Sequence, residues 1–259
     1  MTEIRRLLDE PADSWTDVPR REVSEGYPEW APSYDLPGRN PILELEGPFT
    51  AELFSRIDLG SALDAACGTG RQSAVLAALG HEVFGVDATE AMLERARERV
   101  PAAEFRLGLL TELPVETGRF DLAVCSLALT HLEDPAPAIR ELARTVRPGG
   151  RIVITDLHPT FVALGAQAAY RVNDVRAGYV VNHVHLMSRY LAAFRSAGLG
   201  VRECHELLYR RDEVELWASR VALDLDLVAE ALEGLPAVVV WDLQNGGNQV
   251  SPVSPLLNN

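Results

Sequence analysis

The sequence contains little cysteine and comparatively little basic charge. The three cysteines are Cys67, Cys125 and Cys204, and no two of them have a CxxC spacing. This pattern argues against a disulfide framework or a cysteine-based zinc site, and we expect reduced thiols in a cytoplasmic protein. Lys and Arg total 24 against 38 Asp and Glu, which gives a formal charge of −14. Because that sign repels phosphate backbones and anionic lipid surfaces, we expect neither nucleic acid nor a membrane as a partner.

Long apolar segments are also missing. No run approaches the ~20 apolar residues that cross a bilayer, and the N-terminal stretch MTEIRRLLDEPADSW has no apolar signal segment. The chain has 259 residues, which is enough to bury a core without metals or disulfides. The sequence leaves a monomer and a homodimer equally open.

Short apolar stretches alternate with amphipathic ones along most of the chain. The stretches ALDAA, EVFGVD, AEFRLG, FDLAVCSLAL and RIVITD predict strands, and the segments between them have helical spacing. This alternation predicts an α/β fold, a Rossmann-like doubly wound sheet that is mostly parallel, with helices on both faces. We expect the final strand, PAVVVWDLQ, to run antiparallel. Before it, apolar residues on one face predict a helix over 213–233, and Ser188 is a predicted helix N-cap.

These patterns suggest three regions. Residues 41–243 form the main domain, with a substrate-side insertion at about 157–188, and residues 244–259 form a tail. Residues 1–40 contain five prolines, which predict an irregular segment. Their aromatic residues suggest a strap that packs on the domain, either as a docked chain end or as a lid over a pocket; these residues are Trp15, Tyr27, Trp30 and Tyr34.

The stretch SALDAACGTGRQSAVLAALGHEVFGVDATEAML, residues 61–93, contains a glycine loop between two carboxylates. In an open α/β sheet, ligands bind beyond the carboxyl ends of the strands. Gly68 and Gly70 allow a backbone to approach a ligand closely. Asp87 ends the next strand, where its carboxylate can accept hydrogen bonds from a ribose diol. The arrangement predicts a cofactor that contains a nucleoside.

The loop differs from the loops that bind dinucleotides or nucleotide triphosphates. The third glycine of a dinucleotide loop is replaced by Ser73. Asp64 before the loop would repel a pyrophosphate but suits a cofactor with an ammonium group. No GxxxxGK[ST] run is present, which argues against a P-loop. A nicotinamide oxidoreductase is therefore disfavoured.

The segments LDAACGTGR, GVDATEAML, FDLAVCSLALTHLED and LARTVRPGGRIVITD together resemble a class I S-adenosylmethionine-dependent methyltransferase of the type 11-like, small-molecule group. The resemblance implies S-adenosylmethionine as cofactor and S-adenosylhomocysteine as product. It also implies a set of cofactor-binding residues: Asp64, Ala65, Gly68, Gly70, Arg71, Asp87, Ala88, Met92, Gly108, Leu109, Leu110, Ser126 and Leu127.

Two positions depart from the family pattern. Ala66 stands where the first loop glycine is usual. Leu109 stands where many members have an aspartate that bonds the adenine amino group, so adenine is expected to be held by backbone groups and apolar packing. Loss of one hydrogen bond costs roughly 0.5–1.5 kcal/mol, or about tenfold in affinity.

Methyl transfer from a sulfonium needs a base only when the acceptor must lose a proton. The candidate bases are histidines: His158 and His131 follow predicted strands at the carboxyl edge of the sheet, and His185 precedes a predicted helix. We expect substrate contacts from His183, Tyr27 and Tyr170. No carboxylate pair accompanies the histidines of VNHVHLMS, so no metal site is predicted.

The predicted function is methyl transfer to the oxygen, nitrogen or carbon of a small organic acceptor, in secondary or specialised metabolism. An alternative is an enzyme of the same fold that catalyses cyclisation or isomerisation without methyl turnover, because fold does not determine function. A protein that binds the cofactor without any turnover is a further alternative.

Overall fold

The computed structural model describes residues 18–36, 40–171, 177–221 and 224–246. Predictions about Trp15, about the strap before residue 18 and about the tail beyond residue 246 lie outside these residues. The helices are α1 Val23–Trp30, α2 Pro41–Phe54, α3 Arg71–Leu79, α4 Glu90–Arg99, α5 Ala136–Thr145, α6 Pro159–Ala163, α7 Met187–Ser196, α8 Arg211–Val221 and α9 Leu225–Leu232. The strands are β1 Arg20–Arg21, β2 Ser61–Ala65, β3 Glu82–Asp87, β4 Glu104–Leu107, β5 Phe120–Ser126, β6 Val146–Leu157, β7 Ala168–Arg171, β8 Ala177–Val180, β9 Leu199–Leu208 and β10 Pro236–Asn245.

Seven strands form one sheet in the order β4-β3-β2-β5-β6-β10-β9. The first five of these are parallel, and β10 runs antiparallel to both β6 and β9. The predicted Rossmann-like sheet with an antiparallel last strand is confirmed. The chain builds outward from β2 to β4 and then returns to the other side of β2 as β5. That reversal opens a crevice beyond the carboxyl ends of β2 and β5, where ligands bind in such folds.

The apolar residues of the central strands divide between two cores. Leu122 and Val124 of β5 belong to one core, and Ala123 and Cys125 belong to the other. Successive side chains of a strand point to opposite faces, so a strand that is covered on both faces must be apolar throughout. Helices α5 and α7 pack on one face, and α2 and α8 pack on the other. This confirms the prediction of helices on both faces.

A second, three-stranded sheet joins the N-terminal segment to the region after β6. Strand β1 pairs in parallel with β8, and β8 pairs antiparallel with β7. The described part of the predicted strap, residues 18–36, is what the word strap means from here on. Its short strand therefore docks on the segment that the sequence analysis describes as a substrate-side insertion.

Three local predictions were wrong. The strap contains helix α1 with Pro28 inside it, where the prolines predicted an irregular segment. A helix of two turns loses few hydrogen bonds to one proline, and Trp30 of this helix stacks on Tyr170 with ring centroids 5.5 Å apart. Helix α7 has Leu186 as its N-cap, so Ser188 lies inside the helix.

The predicted helix over 213–233 is two helices, α8 and α9. The Asp224 carboxylate accepts hydrogen bonds from the backbone N–H groups of Asp226 and Leu227, at 3.0 and 3.2 Å. A side-chain acceptor at this position starts a new helix. No helix in the described part of the chain has both the length and the apolar character needed to cross a bilayer.

Candidate active site

The loop after β2 has a left-handed backbone at three positions. The φ angles of Ala66, Gly68 and Gly70 are 59°, 53° and 77°. A Cβ atom added at Gly68 would meet no other atom within 4 Å, so the space above this residue is open. A Cβ atom at Gly70 would lie 3.0 Å from the Cα atom of Ala96 in α4. Gly70 therefore allows α3 and α4 to pack closely, and Gly68 leaves room for a ligand.

Asp87 is fixed by backbone groups at the carboxyl end of β3. Its Oδ2 atom accepts a hydrogen bond from Gly68 N at 2.8 Å, and its Oδ1 atom accepts one from Thr89 N at 2.9 Å. Burial raises the pKa of the Asp87 carboxyl. Each carboxylate oxygen keeps a further lone pair for another donor. The two carboxylate oxygens are thus held in a set direction at the wall of a cavity.

This cavity, the loop cavity, has a volume of about 380 Å³. Nine of the thirteen predicted cofactor residues line it: Gly68, Asp87, Ala88, Met92, Gly108, Leu109, Leu110, Ser126 and Leu127. Sequence analysis missed Thr111, which also lines the cavity, because it lies beyond the position where the family carries its aspartate. Leu109 itself is 57% exposed, which is consistent with an apolar rim at this point.

The remaining four predicted cofactor residues do not line the loop cavity. Asp64 is buried and accepts a hydrogen bond from the Ser73 hydroxyl at 2.6 Å. Burial raises the pKa of Asp64 to about 6. Arg71 forms an ion pair with Glu46, which is fully buried in α2. Direct contact of a cofactor with Asp64, Ala65, Gly70 or Arg71 stays a prediction.

A second cavity, the aromatic cavity, has a volume of about 290 Å³. Its wall combines residues of the strap with residues that follow β6. The described residues that give it its character are Trp30, Tyr34, Leu157, Phe161, Gln167 and Asn182. Gln167 and Asn182 were missed in the sequence because isolated amides in an irregular segment give no pattern.

Four of the described residues line both cavities and form what we call the shared wall: Tyr27, Tyr34, Leu127 and His131. Leu127 has a φ angle of 53°, an uncommon conformation for a residue with a side chain. Its backbone N–H donates to the Thr155 carbonyl at 2.8 Å. A strained backbone at this position projects the Leu127 side chain between the two cavities.

The shared wall contains a hydrogen-bonded tyrosine–histidine pair. The Tyr27 hydroxyl lies 2.6 Å from His131 Nε2, and His131 Nδ1 lies 3.0 Å from the Val181 carbonyl oxygen. A carbonyl oxygen only accepts, so Nδ1 carries the proton and Nε2 accepts a hydrogen bond from Tyr27. Burial lowers the pKa of His131 and raises that of Tyr27. His131 is therefore neutral at pH 7, with a basic lone pair directed at the Tyr27 hydroxyl.

Hydrogen bonds to buried side chains stabilise the turn that carries His131. Thr130 in this turn, Leu129–His131, donates to Asp156 Oδ1 at 2.9 Å, and the Tyr190 hydroxyl donates to Asp156 Oδ2 at 2.8 Å. Burial raises the pKa of Asp156 to about 6. His185 Nε2 lies 2.8 Å from the Leu132 carbonyl oxygen, and this contact holds the end of the turn.

The other two candidate bases make hydrogen bonds within the protein, and their catalytic roles stay predictions. His158 Nδ1 accepts from Thr160 N at 3.2 Å as the N-cap of α6, and Nε2 lies 2.9 Å from Glu206 Oε1. His158 lines neither cavity, and His185 is buried beneath the turn. Both rings are held by neighbouring protein groups. Of the three candidates, His131 alone lies at the shared wall.

Of the predicted substrate contacts, Tyr27 lines both cavities, whereas His183 and Tyr170 line neither. The Tyr170 hydroxyl donates to Glu29 at 3.0 Å, and its ring supports Trp30 of the aromatic cavity. The His183 backbone N–H donates to the Thr130 carbonyl at 2.6 Å. Among the described residues, no group of three His, Cys, Asp or Glu side chains is arranged to hold a metal ion.

The strap also contacts the glycine loop. The Thr69 hydroxyl donates to Asp35 Oδ2 at 2.8 Å, and Arg99 of α4 forms an ion pair with the same carboxylate. Together with the Tyr27–His131 hydrogen bond, these contacts place the strap over the crevice. The sequence did not decide whether the strap is a docked chain end or a lid over a pocket. In the structure the strap forms part of both cavities.

The loop cavity fits a nucleoside with a sulfonium better than it fits a dinucleotide. It combines open space above Gly68, the Asp87 carboxylate and the Ser126 Oγ atom, which is buried without a hydrogen-bond partner among the described residues. Met92 and Leu110 supply apolar walls for a base. Among the described residues that line the cavity there is no Lys or Arg to neutralise a pyrophosphate.

Comparisons with known proteins find methyltransferases among the similar chains. The family model described as a methyltransferase domain matches residues 63–154. Demethylmenaquinone methyltransferase of Renibacterium salmoninarum is 30% identical over 54% of this chain and 61% of its own length. The chain thus spans less than two thirds of that relative.

Two solved structures share the fold. The S-adenosylmethionine-dependent methyltransferase of Mesorhizobium loti is 23% identical with a TM-score of 0.59, over 77% of this chain and 97% of that one. The [4+2]-cyclase SpnF is 18% identical with a TM-score of 0.62, over 88% and 98% of the two chains. At these identities the likeness concerns the fold alone.

Proposed function

We propose that this chain is a class I S-adenosylmethionine-dependent methyltransferase and that it transfers a methyl group to a small organic acceptor. Its cofactor is S-adenosylmethionine. The observation that carries the proposal is the pair of cavities that meet at the shared wall of Tyr27, Tyr34, Leu127 and His131. The loop cavity holds the cofactor, and the aromatic cavity holds the acceptor.

In this proposal the loop cavity binds the nucleoside through its ribose. Asp87 accepts hydrogen bonds from both ribose hydroxyls, since Gly68 N and Thr89 N already fix its orientation. Ala88, Met92 and Leu110 contact the base, and Ser126 donates or accepts a hydrogen bond near the reacting end. The bound cofactor supplies an electrophilic methyl group on sulfur. The protein supplies position and orientation, which account for much of the acceleration in such a displacement.

The Tyr27–His131 pair is the proposed proton acceptor. As the acceptor group loses its proton to the Tyr27 oxygen, the Tyr27 hydroxyl proton moves to His131 Nε2. The pair removes one proton in total, and His131 becomes a cation beside the Val181 carbonyl, which its Nδ1–H already contacts. A base in this position contributes roughly 10²–10⁴-fold. The strap supplies Tyr27, so the relay is complete only when the strap is docked.

Calorimetric titration with S-adenosylhomocysteine and, separately, with NAD tests the cofactor assignment. We expect binding of the former alone; binding of NAD in its place would contradict the proposal. S-Adenosylmethionine is then incubated with the protein and a panel of phenols, amines and enolisable ketones. Formation of S-adenosylhomocysteine together with a methylated product supports methyl transfer.

The same assay separates the alternatives. Product formation without S-adenosylhomocysteine would indicate cyclisation or isomerisation on the same fold, and binding without turnover on any acceptor would indicate a binding protein. The acceptor atom and a role in specialised metabolism follow from the acceptor that the panel identifies. Curated relatives named for quinone biosynthesis make hydroxylated rings a sensible first set.

A further inference from the structure

Asn182, a residue of the aromatic cavity wall, has a buried hydrogen-bond acceptor that no described group uses. It lies between β8 and α7, lines the cavity and is only 6% exposed. Its backbone N–H donates to Gln167 Oε1 at 2.8 Å, and its Nδ2 atom donates to the Ala166 carbonyl at 3.3 Å. Its Oδ1 atom is buried and has no hydrogen-bond partner in the described part of the chain.

The orientation of the Asn182 amide follows from its surroundings. If the amide were turned over, Oδ1 would face the Ala166 carbonyl and two acceptors would meet. The observed arrangement satisfies Nδ2 and leaves Oδ1 free. A buried acceptor without a donor costs free energy, and a bound molecule that brings a hydroxyl or N–H group removes that cost.

The described residues that line the aromatic cavity offer no counter-ion for a charged molecule. None of the sixteen described residues that line it is Asp, Glu, Lys or Arg. His131 is neutral at pH 7, and its Nε2 atom is engaged by Tyr27. The hydroxyl of Thr130 is engaged by Asp156. A carboxylate, phosphate or ammonium group would lose its hydration here without gaining a counter-ion.

Trp30 and Phe161 provide flat apolar walls in the aromatic cavity. Such walls fit a ligand that contains a ring. From these observations we infer that the aromatic cavity takes an uncharged, ring-sized acceptor that carries a hydroxyl or N–H donor, and that Asn182 Oδ1 orients this donor. This inference extends the proposed function, and it rests on that function only where it calls the bound molecule a methyl acceptor. The binding preference itself is a property of the cavity alone.

Four probes of matched size test the inference. They are 2-naphthol, 2-methylnaphthalene, 2-naphthoate and 2-naphthylmethylammonium, each titrated at pH 7 by fluorescence with S-adenosylhomocysteine present. We expect 2-naphthol to bind at least tenfold more tightly than 2-methylnaphthalene and than either charged probe. In Asn182→Ala the preference for the hydroxyl over the methyl group falls to within about threefold. Comparing the binding free energies of 2-naphthol and 2-methylnaphthalene in both proteins isolates the contribution of the Asn182 contact.

Asn40→Ala is the matched control. Asn40 also lines the aromatic cavity, but its Oδ1 atom already accepts from Ile42 N at 3.2 Å. Asn40→Ala should keep the preference for 2-naphthol. Equal binding of 2-naphthol and 2-methylnaphthalene by the unmodified protein would overturn the inference. So would tighter binding of a charged probe, or no binding of 2-naphthol.

The experiment distinguishes a failure of this inference from a failure of the proposed function. If S-adenosylhomocysteine binds and 2-naphthol does not, the inference fails and the cofactor assignment stands. If S-adenosylhomocysteine does not bind, the proposed function fails. The four probes, titrated without it, then still decide whether the cavity prefers an uncharged donor.

Discussion

Removal of the Asp87 carboxylate should weaken cofactor binding by about 100-fold. Both carboxylate oxygens are held by backbone donors, at 2.8 Å from Gly68 N and 2.9 Å from Thr89 N. Their remaining lone pairs therefore point in fixed directions into the loop cavity. Two charge-assisted hydrogen bonds to a ribose diol are worth roughly 1.5–3 kcal/mol each. Water can reach the ribose in the variant, so we take the lower end, about 3 kcal/mol, which is about 100-fold in affinity.

The assay is calorimetric titration of S-adenosylhomocysteine into Asp87→Ala and into the unmodified protein. Asp121→Ala is the matched control, because Asp121 also accepts from the backbone of a neighbouring strand, Ser61 N at 2.8 Å. It lies at the opposite, amino-terminal end of β5, away from both cavities. We expect Asp121→Ala to bind S-adenosylhomocysteine as the unmodified protein does. Unchanged affinity in Asp87→Ala would mean that the sugar lies elsewhere and would refute the argument.

Three further predictions concern the shared wall, the loop and the buried carboxylate. Tyr27→Phe should lower kcat about 100-fold on the identified acceptor with unchanged S-adenosylhomocysteine affinity. The unmodified enzyme should lose activity toward acid with a midpoint below 6.5, as His131 protonates; an equal rate in Tyr27→Phe would exclude the relay. Ala66→Gly should raise the free energy of unfolding by about 1 kcal/mol in urea, since it relieves a left-handed backbone, whereas Ala65→Gly should lower it. Burial raises the pKa of Asp156 from 3.8 to about 6, so the charged form is disfavoured in the folded state and stability falls as pH rises from 4 to 7. Asp156→Asn should lose only the part of that fall that comes from Asp156, since Asp64 still contributes, and should gain up to about 3 kcal/mol relative to the unmodified protein over this range. A constant difference would show that the Asp156 carboxyl titrates normally.

The sheet and the loop cavity are the parts that local sequence patterns predict well. The continuous apolar run of β5 and the spacing from Asp64 to Asp87 are short-range signals, and each follows from backbone geometry that recurs in this fold. The structure places Gly68, Asp87 and Met92 together because parallel strands end at the same edge. Ser73 entered the sequence analysis only as a missing glycine. It proves to be the hydrogen-bond donor to buried Asp64.

The contacts around the aromatic cavity were not predicted from the sequence, because they join distant parts of the chain. His158 follows a strand at the expected edge, but its ring is turned away to cap α6 and contact Glu206. The partner of His131 is Tyr27, 104 positions earlier in the chain. Tertiary stacking also overrode the helix-breaking tendency of Pro28 in α1. No local pattern encodes these pairings.

The central claim is that the loop cavity binds the cofactor by its sugar and delivers its reactive end to the shared wall. A crystal structure with S-adenosylhomocysteine tests it most directly. The account predicts density in the loop cavity, with the ribose hydroxyls on Asp87 and the sulfur beside Leu127, facing the aromatic cavity. A molecule bound elsewhere, or with its sulfur directed away from Tyr27 and His131, would contradict it.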